Sequence, residues 1–206
     1  MPYEVEKAKK WMKIKLADKP RVISHIEKVT EKALEVGKKL KENGYKVDLE
    51  LLETGGYLHD IGRSVTHGIR HEVESSRIVK ELGFSEPVIK LVERHMGAGI
   101  TAEEAAKLGL PRRDFIPQTL EEKILSYADK FLESDFVFNT IDDEQVVDRK
   151  DLLYDSIEPT LDRFRKLFGK NSPIVLRLEK LRDEMENLLR QKNIKFNAYI
   201  FNSKHL

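Results

Sequence analysis

Apolar residues recur at helical spacing along most of the chain. Between positions 18 and 41 they are separated by 4, 3, 4, 3 and 4 residues, which places them on one face of a helix. These residues are Val22, Ile26, Val29, Ala33, Val36 and Leu40. Asn43-Gly44 then predicts the end of that helix. Only the tail FNAYIF shows a strand-like alternation, so the pattern predicts an all-α fold.

Further helices are predicted between recognisable start and stop signals. Asp48 is a suitable N-cap for a helix from Leu49 to about Asp60. Gly55-Gly56 inside that helix predicts the close approach of a neighbouring helix. Two further helices are predicted over about 71–82 and 85–96. The next two begin with capping-box spacing, at Thr101/Glu104 and at Thr119/Glu122. The last two cover about 150–168 and 173–192.

The C-terminal third has no boundary rich in Gly, Pro or Ser, so a single domain over 1–206 is predicted. Its core would cover about 18–135, with a helical extension over about 150–192, and 142–151 is the most loop-like break. Two interpretations of the spacing within the last helix remain open: packing back onto the core, or a heptad seam in a homodimer. The seam residues are Leu178, Leu181, Met185 and Leu188.

Composition narrows the functional classes. The 206 residues include 37 Lys+Arg and 36 Asp+Glu, which gives a net charge of +1. The protein as a whole is therefore not basic, and nucleic acid is not indicated as a partner. A local basic patch remains an open alternative. The absence of cysteine removes disulfides, thiolate nucleophiles and zinc–sulfur sites. No apolar stretch suits a signal peptide or a membrane span, and a cytoplasmic protein without membrane contact is expected.

The histidines carry the candidate chemistry. His25 and His95 fall on the apolar faces of their predicted helices, and His59 lies four residues after Gly55. One such histidine by itself is more often a core residue bonded to a carbonyl. Three on inward faces of separate helices can instead converge with the carboxylates of Asp60 and Asp129 on a metal ion.

The ordered set His25, His59-Asp60 and Asp129 forms the signature H…HD…D, and residues 59–62 read HDIG. In these motifs the chain resembles the HD-domain metal-dependent phosphohydrolase superfamily over about residues 18–135. It is also similar to small uncharacterised archaeal HDIG proteins. The resemblance implies an HD-type helical bundle with additional C-terminal helices.

The resemblance also implies a ligand set. His25, His59, Asp60 and Asp129 would bind one divalent ion, while Asp60 would bridge to a second ion held by His71 and His95. Two ions are favoured, and Fe, Mn, Co, Ni, Zn and Mg remain open. His67 lies four residues before His71. We interpret His71 as the ligand and His67 as a substrate contact or an exposed loop residue.

The implied activity is hydrolysis of a phosphomonoester or phosphodiester, such as a nucleotide, by metal-activated water. Asp60 and Arg63 are the candidate catalytic residues, and Arg63 would hold the phosphate. Residues 97–118, which include Arg112 and Arg113, are interpreted as a flap whose arginines contact phosphate, a partner or only solvent. Two alternatives are a di-iron oxygenase and a non-catalytic metal- or nucleotide-binding module.

Overall fold

The computed structural model describes residues 5–132 and 154–191. These residues form helices without a strand, which confirms the all-α prediction; the tail FNAYIF and the break at 142–151 lie outside the described residues. None of the helices described is both long and apolar enough to cross a membrane. The helices are α1 (Val5–Lys15), α2 (Pro20–Glu42), α3 (Leu49–Leu58), α4 (His71–Glu81), α5 (Glu86–Glu93), α6 (Ala102–Lys107), α7 (Leu120–Asp129), α8 (Glu158–Phe168) and α9 (Pro173–Arg190).

Helix α2 is the longest helix described, and it packs against α3 and α7. Its predicted apolar stripe is buried, together with His25 on the same side of the helix. Pro20 occupies the first turn, where its missing N–H leaves no hydrogen bond unmade. At the other end the Asn43 side chain donates to the carbonyls of Leu188 and Leu189, which ties α2 to α9.

Helix α3 lies between α2 and α5 because its two glycines remove the side chains that would separate them. A Cβ at Gly55 would lie 2.2 Å from Cδ2 of Leu91 on α5, and one at Gly56 would lie 2.7 Å from Oγ1 of Thr30 on α2. Helix α3 ends at Leu58, two residues earlier than predicted, and His59 is its C-cap. The chain then enters a 3-10 turn over Ile61–Ser64.

The two predicted capping boxes are present. Thr101 and Thr119 each accept a hydrogen bond from the amide three residues later, and Glu104 and Glu122 bond back to the amides of these caps. Helix α5 ends at Glu93 rather than near Met96. The prediction was wrong there because the backbone turns before Gly97 and Gly99, which both take positive φ.

The C-terminal helices pack on the same hydrophobic core as the first helices. Leu178, Leu181 and Met185 of α9 are buried in it, and Leu188 packs against it. Of the two interpretations of this spacing, packing within the chain is the one observed. Arg177 further joins α9 to the segment after α5, since its Nε donates to the carbonyl of Gly99 at 2.9 Å. At the N-terminus, Met12 is buried and Trp11 packs against the core.

Candidate metal centre

The six side chains of the implied ligand set converge from different elements. His25 projects from the second turn of α2, whereas the others stand at or next to the ends of elements. His59 caps α3 and Asp60 follows it, His71 is the first residue of α4, His95 follows α5, and Asp129 is the last residue of α7. All but Asp129 are buried, and Asp129 is partly buried.

Three of the imidazoles are held in one orientation by the backbone. In each, Nδ1 lies within hydrogen-bond distance of the carbonyl three residues earlier. Because a carbonyl only accepts, Nδ1 must carry the proton, and in the neutral ring the Nε2 lone pair is left for a cation. The contacts are His59 to Gly56 at 2.7 Å, His71 to Gly68 at 2.8 Å and His95 to Val92 at 2.7 Å.

One group of donor atoms surrounds a point between α2, α3 and α7. Nε2 of His25 lies 3.1 Å from Oδ1 of Asp129 and 3.7 Å from Oδ2 of Asp60. Nε2 of His59 lies 3.9 Å from Oδ2 of Asp60 and 4.0 Å from Oδ1 of Asp129. Ligands at about 2.1 Å from one ion stand about 3.0 to 3.5 Å apart, so small movements would bring these atoms onto a metal.

The other oxygen of Asp60 faces a second group. Oδ1 of Asp60 lies 3.0 Å from Nε2 of His71 and 3.6 Å from Nε2 of His95. Burial lowers the pKa of His71 to about 4, so near pH 7 its Nε2 and the Asp60 oxygen are two acceptors in contact. A cation beside both atoms would stabilise that contact. The two oxygens of the Asp60 carboxylate thus face two separate groups of potential metal ligands.

The donor set fits a divalent metal. Nε2 of His59 is completely buried and has no hydrogen-bond partner among the residues described, and burial lowers the pKa of His59 to about 3. Neutral imidazoles and carboxylates are ligands for transition metals and for Mn²⁺ or Mg²⁺. A cation would satisfy the buried lone pair, which costs free energy when left unmatched.

Both carboxylates of the set are ionised. Burial by itself would raise the pKa of Asp60, but the Arg63 guanidinium and the imidazoles of His59 and His71 outweigh it and hold that pKa well below its usual range. For Asp129 burial is likewise outweighed, by the ammonium group of Lys130 and by His25, and its pKa is also held well below its usual range. The charges therefore suit cation binding near neutral pH.

Arg63 lies against Asp60 in the structure. Its Nε donates to Oδ2 of Asp60 at 2.5 Å, and its Nη1 donates to the carbonyl of His67 at 3.2 Å. Arg63 is itself buried. The contact shown is thus with a carboxylate of the site, and the role of Arg63 as a phosphate clamp stays a prediction.

His71, and not His67, contributes a donor atom to the groups found among the described residues. His67 lies in the segment between the 3-10 turn and α4, is partly buried, and places Nε2 2.7 Å from Nζ of Lys19. Arg113, which the sequence placed in the flap, pairs with the buried Glu93 of α5. Arg112 is exposed, with Nη2 3.8 Å from Oε1 of Glu103.

Sequence reasoning missed two charged residues at the centre. Lys130 is buried and pairs with Asp129. Glu72 is also buried and forms one group of potential metal ligands with His71 and His95. Burial raises the pKa of Glu72 to about 7. Burial would lower the pKa of His95, but Glu72 and Asp60 outweigh it and raise that pKa to about 9. The only sequence signal was the position of Glu72 next to His71.

The chain is similar to known proteins over most of its length. The model of the HD domain family matches residues 22–133. An uncharacterised protein of Methanocaldococcus jannaschii is 45% identical over 82% of this chain and 90% of its own length. No solved structure matches the chain.

Two further relatives are longer proteins. The tRNA (cytidine(56)-2'-O)-methyltransferase of Picrophilus torridus is 40% identical over 57% of this chain, which corresponds to 33% of the methyltransferase. The enzyme of the same name from Thermoplasma volcanium is 40% identical over 66% of this chain and 39% of its own length. The chain thus matches 33% and 39% of the lengths of the two methyltransferases.

Proposed function

Because the chain belongs to the HD domain family, we propose that it is a metal-dependent phosphohydrolase that acts on a nucleotide or a related phosphate ester. HD domains form a superfamily of metal-dependent phosphohydrolases. One observation carries the proposal: the two oxygens of Asp60 face separate groups of imidazoles, at 3.7 Å from His25 and at 3.0 Å from His71. That arrangement suits a carboxylate between two ions.

His25, His59, Asp60 and Asp129 would hold one ion, and Asp60, His71 and His95 would hold the other. Ions bound there supply a water of lowered pKa and polarise a phosphoryl oxygen. The protein itself contributes the orientation of the imidazoles through their carbonyl contacts and the ionised state of Asp60 through Arg63. Both contributions exist before a substrate binds.

The substrate would enter beside Asp129. Its side chain is 14% exposed and that of Lys130 is 10% exposed, whereas Asp60 and His59 are at 2% and 0%. Negative charge that spreads over a transferring phosphoryl group is stabilised by positioned cations. Arg63 and His67, together with Lys19 beside His67, are the side chains we assign to the phosphate.

The relatives suggest where to begin the search for a substrate. Two of them are named as tRNA methyltransferases, and part of each resembles this chain. We therefore place RNA-derived nucleotides, including 2′- and 3′-phosphates and cyclic phosphodiesters, first among the compounds to be tested. Other nucleoside mono-, di- and triphosphates follow.

The test begins with the metal content of the purified protein, followed by phosphatase and phosphodiesterase assays with that metal. We expect metal-dependent release of phosphate or nucleotide, and its loss in Asp60→Ala. Absence of turnover of every phosphorylated compound with Fe, Mn, Co, Ni, Mg and Zn would contradict the proposal. Iron-dependent oxygen consumption with a non-phosphorylated substrate would indicate an oxygenase, and tight nucleotide binding without turnover would indicate a binding module.

A further inference from the structure

Glu72 is a buried carboxylate at the centre that the implied ligand set does not use. It is the second residue of α4, directly after His71, and its side chain is 8% exposed. Its Oε2 is buried and has no hydrogen-bond partner among the residues described. A buried carboxylate needs a cation or several donors, and the described residues give Oε2 of Glu72 no hydrogen bond.

The geometry directs Glu72 toward the same volume as two histidines. One donor atom each from His71, Glu72 and His95 can be chosen so that all three lie within 4.8 Å of one another. Oε1 of Glu72 lies 3.9 Å from Nε2 of His71. Consecutive helical residues ordinarily point about 100° apart, but His71 and Glu72 are the first two residues of α4, and an atom of each lies in the same group.

Two cationic side chains of the centre are already engaged with other groups. Lys130 pairs with Asp129, and Arg63 donates to Asp60. Nδ1 of His95 faces the carbonyl of Val92, so this ring has only Nε2 to offer toward the centre. A metal ion between the two imidazoles would satisfy the carboxylate of Glu72 as well as both Nε2 atoms.

We propose that Glu72 is a direct ligand of the second ion, which is then held by His71, Glu72 and His95 with Asp60 as the bridge. This inference rests on the two-ion centre of the proposed function and adds a carboxylate that belongs to the second site alone. Imidazole ligands suit Fe and Zn, whereas carboxylate ligands suit Mn and Mg. A mixed set of this kind favours Mn²⁺ or Fe²⁺ in the second position.

The inference is tested by counting ions, without any assay of turnover. The full chain is stripped with a chelator and titrated with Mn²⁺, and binding is followed by calorimetry, by elemental analysis after desalting and by the EPR signal of a coupled manganese pair. The variants are Glu72→Gln, Glu72→Asp and the control Glu74→Gln. Glu74 lies on the same helix, and its carboxylate pairs with Arg77 rather than with the site.

We expect two Mn²⁺ ions in the wild type and in Glu74→Gln, and one in Glu72→Gln. Loss of an outer partner of a metal ligand weakens binding by about 10- to 100-fold, so loss of Glu72 as a ligand should weaken the second ion by at least about 100-fold. The affinity of the first ion should change far less, because none of the ligands assigned to it is altered. Glu72→Asp, one methylene shorter, should fall between the wild type and Glu72→Gln, and it provides the same comparison if Glu72→Gln does not fold.

Three results would overturn the inference: two ions bound by Glu72→Gln with wild-type affinity, parallel loss of both ions in that variant, or one ion in the wild type. The outcome is separable from that of the proposed function. A protein that binds two ions, loses one in Glu72→Gln and hydrolyses no phosphate ester would keep this inference and lose the phosphohydrolase. A hydrolase with two ions in Glu72→Gln would show the reverse.

Discussion

Gly62 lies where the 3-10 turn after Asp60 meets α4, and the contact leaves no room for a side chain. A Cβ there would lie 2.0 Å from the carbonyl oxygen of His71 and 2.4 Å from the amide nitrogen of Ser75. Both are backbone atoms, which cannot rotate away as a side chain can. The Gly62 amide also donates to Oγ of Ser75 at 2.8 Å, so Gly62→Ala should push the turn and α4 apart.

The expected cost follows from the size of the overlap. Ordinary contact begins at 3.4 Å, so relief requires backbone shifts of about 1.0 to 1.4 Å, and overpacking of a core typically costs about 1 to 3 kcal/mol. Because rigid backbone is met on both sides, we expect about 3 kcal/mol of lost unfolding free energy. The same shift would separate His71 from Asp60, whose donor atoms lie 3.0 Å apart, and would weaken binding of the second ion.

The assay is urea unfolding of the metal-free chain in chelator, with Gly83→Ala as the matched control. Gly83 has φ +74, and a Cβ there would meet nothing within 4 Å beyond its chain neighbours. Its substitution should therefore cost only the left-handed backbone conformation, about 1 kcal/mol. If Gly62→Ala loses no more stability than Gly83→Ala, the steric reasoning is refuted.

Three further results are expected. In chelator, the unfolding free energy should rise as the pH falls from about 9 to 6.5, because the folded chain protonates His95 first, with its pKa raised to about 9. Below pH 6.5 the unfolding free energy should fall by about 1.4 kcal/mol per pH unit down to about pH 4.5. In this range His59 and His71, with pKa values lowered to about 3 and 4, bind protons only when the chain is unfolded, while Glu72, with its pKa raised to about 7, offsets one of them. Thermal unfolding across the whole pH range checks both the rise and the fall, and stability that holds below pH 6.5 would be contrary evidence. Arg63→Gln removes the cation that lowers the pKa of Asp60, so its Mn²⁺ affinity should drop more steeply than that of the wild type between pH 7.5 and 5.5, and parallel titration curves would argue against this role. Thr119→Ala removes the side-chain cap of α7 and should lower the unfolding free energy measured in urea by about 1 kcal/mol. Thr119→Ser keeps a hydroxyl and should retain most of the stabilisation by the cap; equal stability of the two variants would contradict the capping argument.

Much of the fold could be predicted because it depends on neighbours in sequence. The apolar stripe of α2 follows from a period of 3.6 residues, and the capping boxes at Thr101 and Thr119 each close within three residues. The predicted ends of α3 and α5 were wrong by two or three residues. These ends depend on where the chain must turn to present His59 and His95, and that requirement comes from other helices.

The sequence by itself determined the all-α class and the ordered H…HD…D residues, since helical period and residue order are local properties of the chain. Only the tertiary structure decided which charges lie at the centre. Lys130 and Glu72 have the same spacing whether they face water or a cavity, and the packing of α7 against α2 and of α4 against α5 settles that. It also turned Arg63 toward Asp60, because a buried carboxylate draws the nearest cation to it.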